Sequence, residues 1–153
     1  MLSGRHHCLM DDKGRVALPA ALHAGLGVVG AGDDQGRFVL SCSLFDPCLV
    51  GRTEAAFEAE AAKMRALPAS HPAAVAYMRF VVGTAESIAV DRFGRVNIPK
   101  AMREHAGLER DLVWVGAFDK VELWSQARLD DNRRNLSTDD LASIRAFLTS
   151  HSL

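Results

Sequence analysis

Short apolar runs, each closed by Asp, Gly or Pro, dominate the first fifty residues. Cys8-Leu9-Met10 leads into Asp11-Asp12-Lys13-Gly14-Arg15, and Val16-Ala17-Leu18 then leads into Pro19. The pattern predicts strand, tight turn, strand. Gly14 stands three residues after Asp11, where such a turn needs a positive φ. Pro19 ends the second strand because it has no N–H to give a ladder. Pro also suits the first position of a helix, so a short helix is expected over 20–24, stopped by a left-handed cap at Gly25. Phe38-Val39-Leu40 and Cys48-Leu49-Val50 predict two more strands around a turn at Asp46-Pro47. The Gly- and Asp-rich stretch 27–36, between the helix and the first of these strands, predicts a flexible loop.

The pattern then changes period. Thr53 is an N-cap candidate for a helix running to about Arg65, with Phe57 and Met64 on one side, and Leu67-Pro68 breaks it. Pro72 opens a second helix reaching about Val82, which makes 53–80 a helical connector. Near the end, Val121-Glu122-Leu123-Trp124 predicts a strand and Ser125 a cap for a short helix. Ser137 and Asp140 have capping-box spacing, opening a last helix with Leu141, Ile144 and Leu148 on one face. That helix is expected to cover the core or a neighbouring molecule.

The first stretch occurs twice. Asp91-Arg92-Phe93-Gly94-Arg95-Val96-Asn97-Ile98-Pro99 repeats Asp, Gly, Arg, Val and Pro of residues 11–19 at an offset of eighty positions. His23-Ala24-Gly25-Leu26 is answered by His105-Ala106-Gly107-Leu108, and Leu44-Phe45-Asp46 by Ala117-Phe118-Asp119. A second helix is therefore expected over 100–106, capped at Gly107. The chain divides into a first unit (3–52), the connector (53–80), a second unit (81–124) and a helical tail (125–153). Each unit is of a size at which a lone core is marginal, so the two are expected to close on each other.

Composition narrows the function classes. The 153 residues carry 18 basic and 19 acidic side chains, for a formal charge of −1. No global attraction to a polyanion follows, so any such binding must come from charge placement. The three cysteines, Cys8, Cys42 and Cys48, form no C-x-x-C pair and read as reduced thiols in a reducing compartment. Arg5 and His6 arrive too early for a secretory leader, and Arg79 interrupts the longest apolar stretch. A cytoplasmic protein without a membrane span is expected.

Arg15 and Arg95 each follow a turn that carries a further cation, Lys13 or Arg92. Cations on rigid turns can reach phosphates or base edges. Equally, the two arginines can pair with Asp11 and Asp91 and hold the turn's shape. His6 and Cys8 share one face of a strand with His7 on the other, but no second ligand pair completes a tetrahedron, so neither metal nor cofactor is expected. His23 and His105 are expected at carbonyls of helix C-termini.

The duplicated Asp-x-x-Gly-Arg-Val-x-(Leu/Ile)-Pro element resembles the DNA-binding module of the AbrB/SpoVT superfamily. Two such modules in one chain of this length, joined by a helical segment, resemble the MraZ family of bacterial transcriptional regulators. The resemblance implies an α+β, mostly β fold in which two tandem AbrB/SpoVT-like units form a pseudo-two-fold, barrel-like core with peripheral helices. It also implies a ring-shaped homo-oligomer, associated with the nucleoid. The implied partner is double-stranded DNA at direct repeats upstream of the division and cell-wall gene cluster, including the protein's own gene, with action mainly as a repressor. On this basis Arg15 and Lys13 are the principal candidate DNA contacts, followed by Arg5, Arg95 and Arg92. Asp11, Gly14, Asp91 and Gly94 organise the turns. Phe93, at the second tip, is expected to pack on a neighbouring subunit.

Two other classes compete. Two symmetric Asp–Gly turns suggest an aspartic protease, but cations beside each Asp favour the ionised state, the wrong one for a shared proton. No Ser-His-Asp set, phosphate loop or dinucleotide fingerprint is present, so no enzyme is expected. The other rival is a structural or antitoxin-like interaction protein of the same fold that does not read DNA.

Overall fold

The computed structural model describes residues 1–30, 32 and 35–153; Ala31, Asp33 and Asp34, within the expected loop, lie outside the described residues. Six strands form one antiparallel sheet. Across it, β1 (Arg5–Leu9) pairs with β7 (Asp111–Ala117), which pairs with β8 (Lys120–Ser125). Next come β4 (Leu49–Arg52), β3 (Arg37–Cys42) and β5 (Glu86–Ala89). The order interlaces the two sequence units. The first strand of each unit lies on the hairpin of the other, and the two hairpins meet at β4 and β8.

A separate two-stranded ribbon joins β2 (Arg15–Ala17) to β6 (Arg95–Asn97), with Val16 opposite Val96 at its centre. Each strand of this ribbon also extends into the other unit's turn. The Leu18 amide donates to the Gly94 carbonyl at 2.8 Å, and the Ile98 amide to the Gly14 carbonyl at 2.9 Å. These matched bonds express the pseudo-two-fold relation expected of the repeat.

The architecture is α+β with two tandem units, as expected. It differs from the mostly β, barrel-like picture in two respects, the first being that the six-stranded sheet is open, with β1 and β5 at its edges. The ribbon lies between those edges, linked to the sheet by the bridge of Met10 with Val16. Helices also hold more residues than strands, because the connector and tail contribute four of the six α-helices among the described residues.

Period-2 alternation explains the core. Val16, Val96, Leu18 and Ile98 point inward from the ribbon and are fully or almost fully buried, against Trp114, Leu112, Leu123, Phe38 and Leu40 from the sheet. Each fully buried aliphatic or aromatic side chain stabilises by roughly 1.5–3 kcal/mol. Trp114 also donates from Nε1 to the Ala17 carbonyl at 3.0 Å, which fixes the ribbon's height above the sheet. On the other face of the sheet, Cys48, Val113 and Trp124 pack with Leu129 of α5 (Gln126–Arg134).

The helix after Pro19, α1 (Ala20–His23), runs on as a 3-10 turn over Ala24–Leu26 and is capped by Gly27 at φ 73°. The expected cap at Gly25 is therefore displaced by two residues. Gly25 has a different reason to lack a side chain: a Cβ there would meet Leu2 Cδ2 at 2.5 Å. In the second unit α4 (Lys100–Ala106) ends at Gly107 with φ 57°, as expected. Its His105 carbonyl accepts from Arg128 Nη1 at 3.2 Å. His23 bonds through Nε2 to the Leu18 carbonyl at 2.8 Å. That carbonyl precedes α1, so His23 does not serve the helix C-terminus that its spacing predicted.

In the connector, α2 (Glu54–Arg65) is capped by Thr53 Oγ1 and α3 (Pro72–Phe80) by His71 Nδ1. A polar clamp ties both to the sheet. Buried Arg52 donates from Nε to Glu60 Oε2 at 3.0 Å and from Nη2 to Oε1 at 3.2 Å. Tyr77 donates its hydroxyl to the same Oε1 at 3.1 Å. Burial, then the Glu60 charge and hydrogen bond, push the Tyr77 phenol up to about 12, so it stays a donor at neutral pH.

The last helix, α6 (Thr138–Ser150), starts at the reciprocal capping box of Ser137 and Asp140. It buries none of its residues, and Leu141, Ile144, Phe147 and Leu148 are all exposed. It does not cover the core. The three cysteines are unpaired, and burial pushes the Cys8 and Cys48 thiols up to about 11 and about 12.

Two outcomes follow from the interlacing and the clamp. A chain ending at Phe80 leaves β1 and β2 without partners and strips β3 and β4 of one neighbour each, so no folded monomer should be seen by sedimentation and amide NMR dispersion. Replacing Glu60 with Ala strands the Arg52 guanidinium in a buried position. Because Glu60 itself is partly solvated, urea denaturation should show a loss of about 1–2 kcal/mol, less than for a fully buried pair.

Candidate nucleic-acid interface

Each turn is organised by one carboxylate. Asp11 accepts from the Lys13 and Arg15 amides through Oδ1, both at 2.9 Å, and from Arg15 Nε through Oδ2 at 2.7 Å. Asp91 repeats the set with the Phe93 amide (2.9 Å), the Arg95 amide (2.8 Å) and Arg95 Nε (3.0 Å). Gly14 and Gly94, at φ 79° and 75°, donate their amides to the Asp11 and Asp91 carbonyls and close the turns.

The Arg15 amide bond lowers the Asp11 carboxyl most, outweighing desolvation, with further help from the Arg15 guanidinium and the Lys13 amide. For Asp91 desolvation is the largest influence and raises it. The bonds from Arg95 and Phe93 together outweigh it, and the carboxyl again lies below its ordinary value. Both aspartates are thus held ionised, each within its own turn, which is incompatible with a shared-proton pair.

Each arginine pairs with the aspartate of its own turn and keeps the end of its guanidinium unengaged. Nε is engaged by the carboxylate, which fixes the direction of the side chain. Neither Nη nitrogen bonds to a described residue, and the Arg15 and Arg95 side chains retain 33% and 32% exposure. Because Val16 and Val96 point inward, Arg15, Ala17, Arg95 and Asn97 share the ribbon's outward face. Arg15 lies opposite Asn97, and Arg95 opposite Ala17. The two arginines are diagonal neighbours, with a backbone separation of about 7–8 Å.

Lys13 is exposed at the first tip. At the second, the guanidinium carbons of Arg92 and Arg95 lie 4.8 and 4.9 Å from the ring centre of Phe93, which is 66% exposed. Arg5 is not brought to this face. It begins β1, six residues before Asp11, which along a strand is roughly 20 Å.

Two further side chains lie beside the turns, Arg103 and His23, and sequence spacing assigned neither of them there. Arg103, of α4, lies across the other unit's turn: a Cβ at Gly14 would fall 3.0 Å from its Cζ. Its Nε is buried without a partner among the described residues. His23 stands eighty positions earlier and occupies the matching place, 3.9 Å from where a Cβ of Gly94 would be. The offset that relates the turns also relates these residues, but only the interlaced fold shows that each serves the opposite turn.

Among the described residues no group of three or more His, Cys, Asp or Glu is arranged to hold a metal ion. No helix of the described residues is long and apolar enough to cross a membrane.

Comparison with known proteins gives one consistent result. The family model described as "MraZ protein, putative antitoxin-like" matches residues 1–80 and again 81–148. The chain is 32% identical over 150 residues to a protein of Acetivibrio thermocellus named transcriptional regulator MraZ, covering 97% of this chain and 99% of that one. It is 35% identical over 147 residues to the protein of that name from Salinispora arenicola, covering 94% of each. A third, from Moorella thermoacetica, is 34% identical over 137 residues, or 90% of each.

The depressed aspartates make a signed prediction. Their contribution to stability is present above the unfolded carboxyl value and lost as pH falls through the lowered native one. Asp11→Asn keeps an acceptor but turns an amide N–H₂ toward Arg15 Nε. Its melting temperature should lie below wild type at pH 7, and the gap should close as pH drops below the ordinary value of 3.8. Calorimetry across that range checks it.

Proposed function

The chain belongs to the MraZ family, and on that premise we propose that it is a sequence-specific DNA-binding transcriptional regulator. The observation that carries the reading is the ribbon face, where Arg15 and Arg95 point outward with Nε braced and both Nη groups free to donate. A two-stranded β-ribbon fits the major groove of B-DNA, and a guanidinium can bond the O6 and N7 of guanine bidentately. The carboxylate brace supplies the direction that such a contact requires.

In this reading Arg15 and Lys13 are the principal contacts, with Arg95 and Arg92 second, while Asp11, Gly14, Asp91 and Gly94 set the turns. Arg103 adds a cation beside the first turn, and Arg5 is left as a flanking phosphate contact. The regulator acts mainly as a repressor at direct repeats upstream of the division and cell-wall gene cluster, its own gene included. It works in the cytoplasm, at the nucleoid.

A chain with a formal charge of −1 grips a polyanion weakly as one copy. A ring-shaped homo-oligomer answers this, since several ribbons on one duplex gain about 10²–10⁴ over a single one. The exposed apolar side chains of α6 support self-association.

Arg15→Ala is expected to leave the melting temperature and native mass near wild type. It should weaken binding to the duplex upstream of the gene by about 10-fold or more, from the 1–3 kcal/mol of a bidentate arginine. Fluorescence anisotropy reads the affinity, and an unchanged value would move the site off the ribbon. The same titrations against salt should give a steep line, with a slope of about −0.9 per phosphate engaged.

A further inference from the structure

We infer that Asn97 is a base-reading residue that selects an A·T pair, and that its counterpart Ala17 leaves the other half of the ribbon without this contact. The ribbon would then read a directional sequence. This rests on the DNA-binding reading and adds to it the residue that gives the site its polarity.

β2 and β6 are related by the eighty-residue offset, and Val16 opposite Val96 marks the centre of that relation. A perfect repeat would show the same outward side chains on both halves. The arginines obey it, since Arg15 answers Arg95. The next outward position does not, because Ala17 on one strand is answered by Asn97 on the other. Each cross-strand pair therefore carries a different message: Arg15 stands beside Asn97, and Arg95 beside Ala17.

Both residues are available. Ala17 and Asn97 are exposed, and the Asn97 amide bonds to no described side chain or backbone group. The backbone that carries them is fixed, because the Ala17 carbonyl accepts from Trp114 and the valines between are buried. Nothing in the fold requires an amide at 97, since the matching position folds with a methyl group.

Chemistry then assigns the readout. A side-chain amide offers one donor and one acceptor side by side, matching N7 and N6 of adenine in the major groove, and a methyl group matches only the apolar edge of thymine. Opposed residues on neighbouring strands have Cβ atoms about 4.5–5.5 Å apart. Arg15 and Asn97 thus reach adjacent base pairs, a guanine contact beside an adenine contact. The other half offers the guanine contact and, at Ala17, no hydrogen bond to a base.

The test is selection of a randomised duplex library by the full-length protein, followed by anisotropy on single-base variants of the enriched site. Wild type should enrich a directional element with a strong adenine preference next to a guanine. Asn97→Ala should lower discrimination at that one pair by about 5- to 100-fold, the size of a lost bidentate contact. Its melting temperature and salt slope should stay unchanged, as they would not for a structural residue. Ala17→Asn should create an adenine preference in the other half and make the element symmetric. The exchange Ala17→Asn with Asn97→Ala should reverse its direction relative to a fixed flank.

An Asn97→Ala selection identical to wild type, with wild-type DNA binding intact, would overturn the inference and leave the regulator standing. Failure of wild type to enrich any sequence would sink both.

Discussion

The outer face of the molecule depends on a single arrangement made twice: an aspartate whose two oxygens accept two turn amides and one arginine Nε. The amide bonds shape the turn, and the Nε bond directs a long side chain that would otherwise sample many rotamers. The entropy of ordering that arginine is met within the fold and need not be met again on binding. An ion pair at this exposure contributes little to stability. Its value lies in geometry, and this is why the structural and functional readings of the Asp–Arg spacing are compatible.

That arrangement would be idle on a mobile ribbon. The ribbon is held by inward valines, by the Trp114 bond to Ala17 and by the two amide bonds that run into the opposite turns. The interlaced strand order does the rest, because neither unit completes a sheet without the other. The connector is fastened as well, through Arg52, Glu60 and Tyr77, so the link between units is a packed part of the fold.

Much of this was legible in the residues, and the exceptions have physical reasons. The turns, the caps at Thr53, Ser125 and Ser137, the break at Pro68 and the stop at Gly107 depend on neighbours within a few positions, which is where spacing carries information. Strand exchange depends on partners about a hundred residues away, such as Arg5 opposite Val115, and a repeat looks the same whether its strands pair within or between units. Hence nothing in the spacing tied Arg103 or His23 to the turn of the other unit, and His23 read instead as a partner for a helix C-terminus. The cap at Gly25 was misplaced because a Gly required for close approach to Leu2 looks, in one dimension, like a Gly required for positive φ. The apolar stripe on α6 was visible, but a stripe does not say whether its own chain will cover it, and here it does not.

The pairing of β2 with β6 about a centre between Val16 and Val96 makes the ribbon a two-fold object within one chain. A single-unit protein that assembled with an identical copy would build the same ribbon, but every substitution would appear on both strands, and only inverted sequences could be matched. Two copies within one chain are free of that constraint. The tip is Lys in one copy and Phe in the other, and residues 17 and 97 differ, while the braced arginines are alike. The repeat keeps a two-fold scaffold while its surface is released from symmetry.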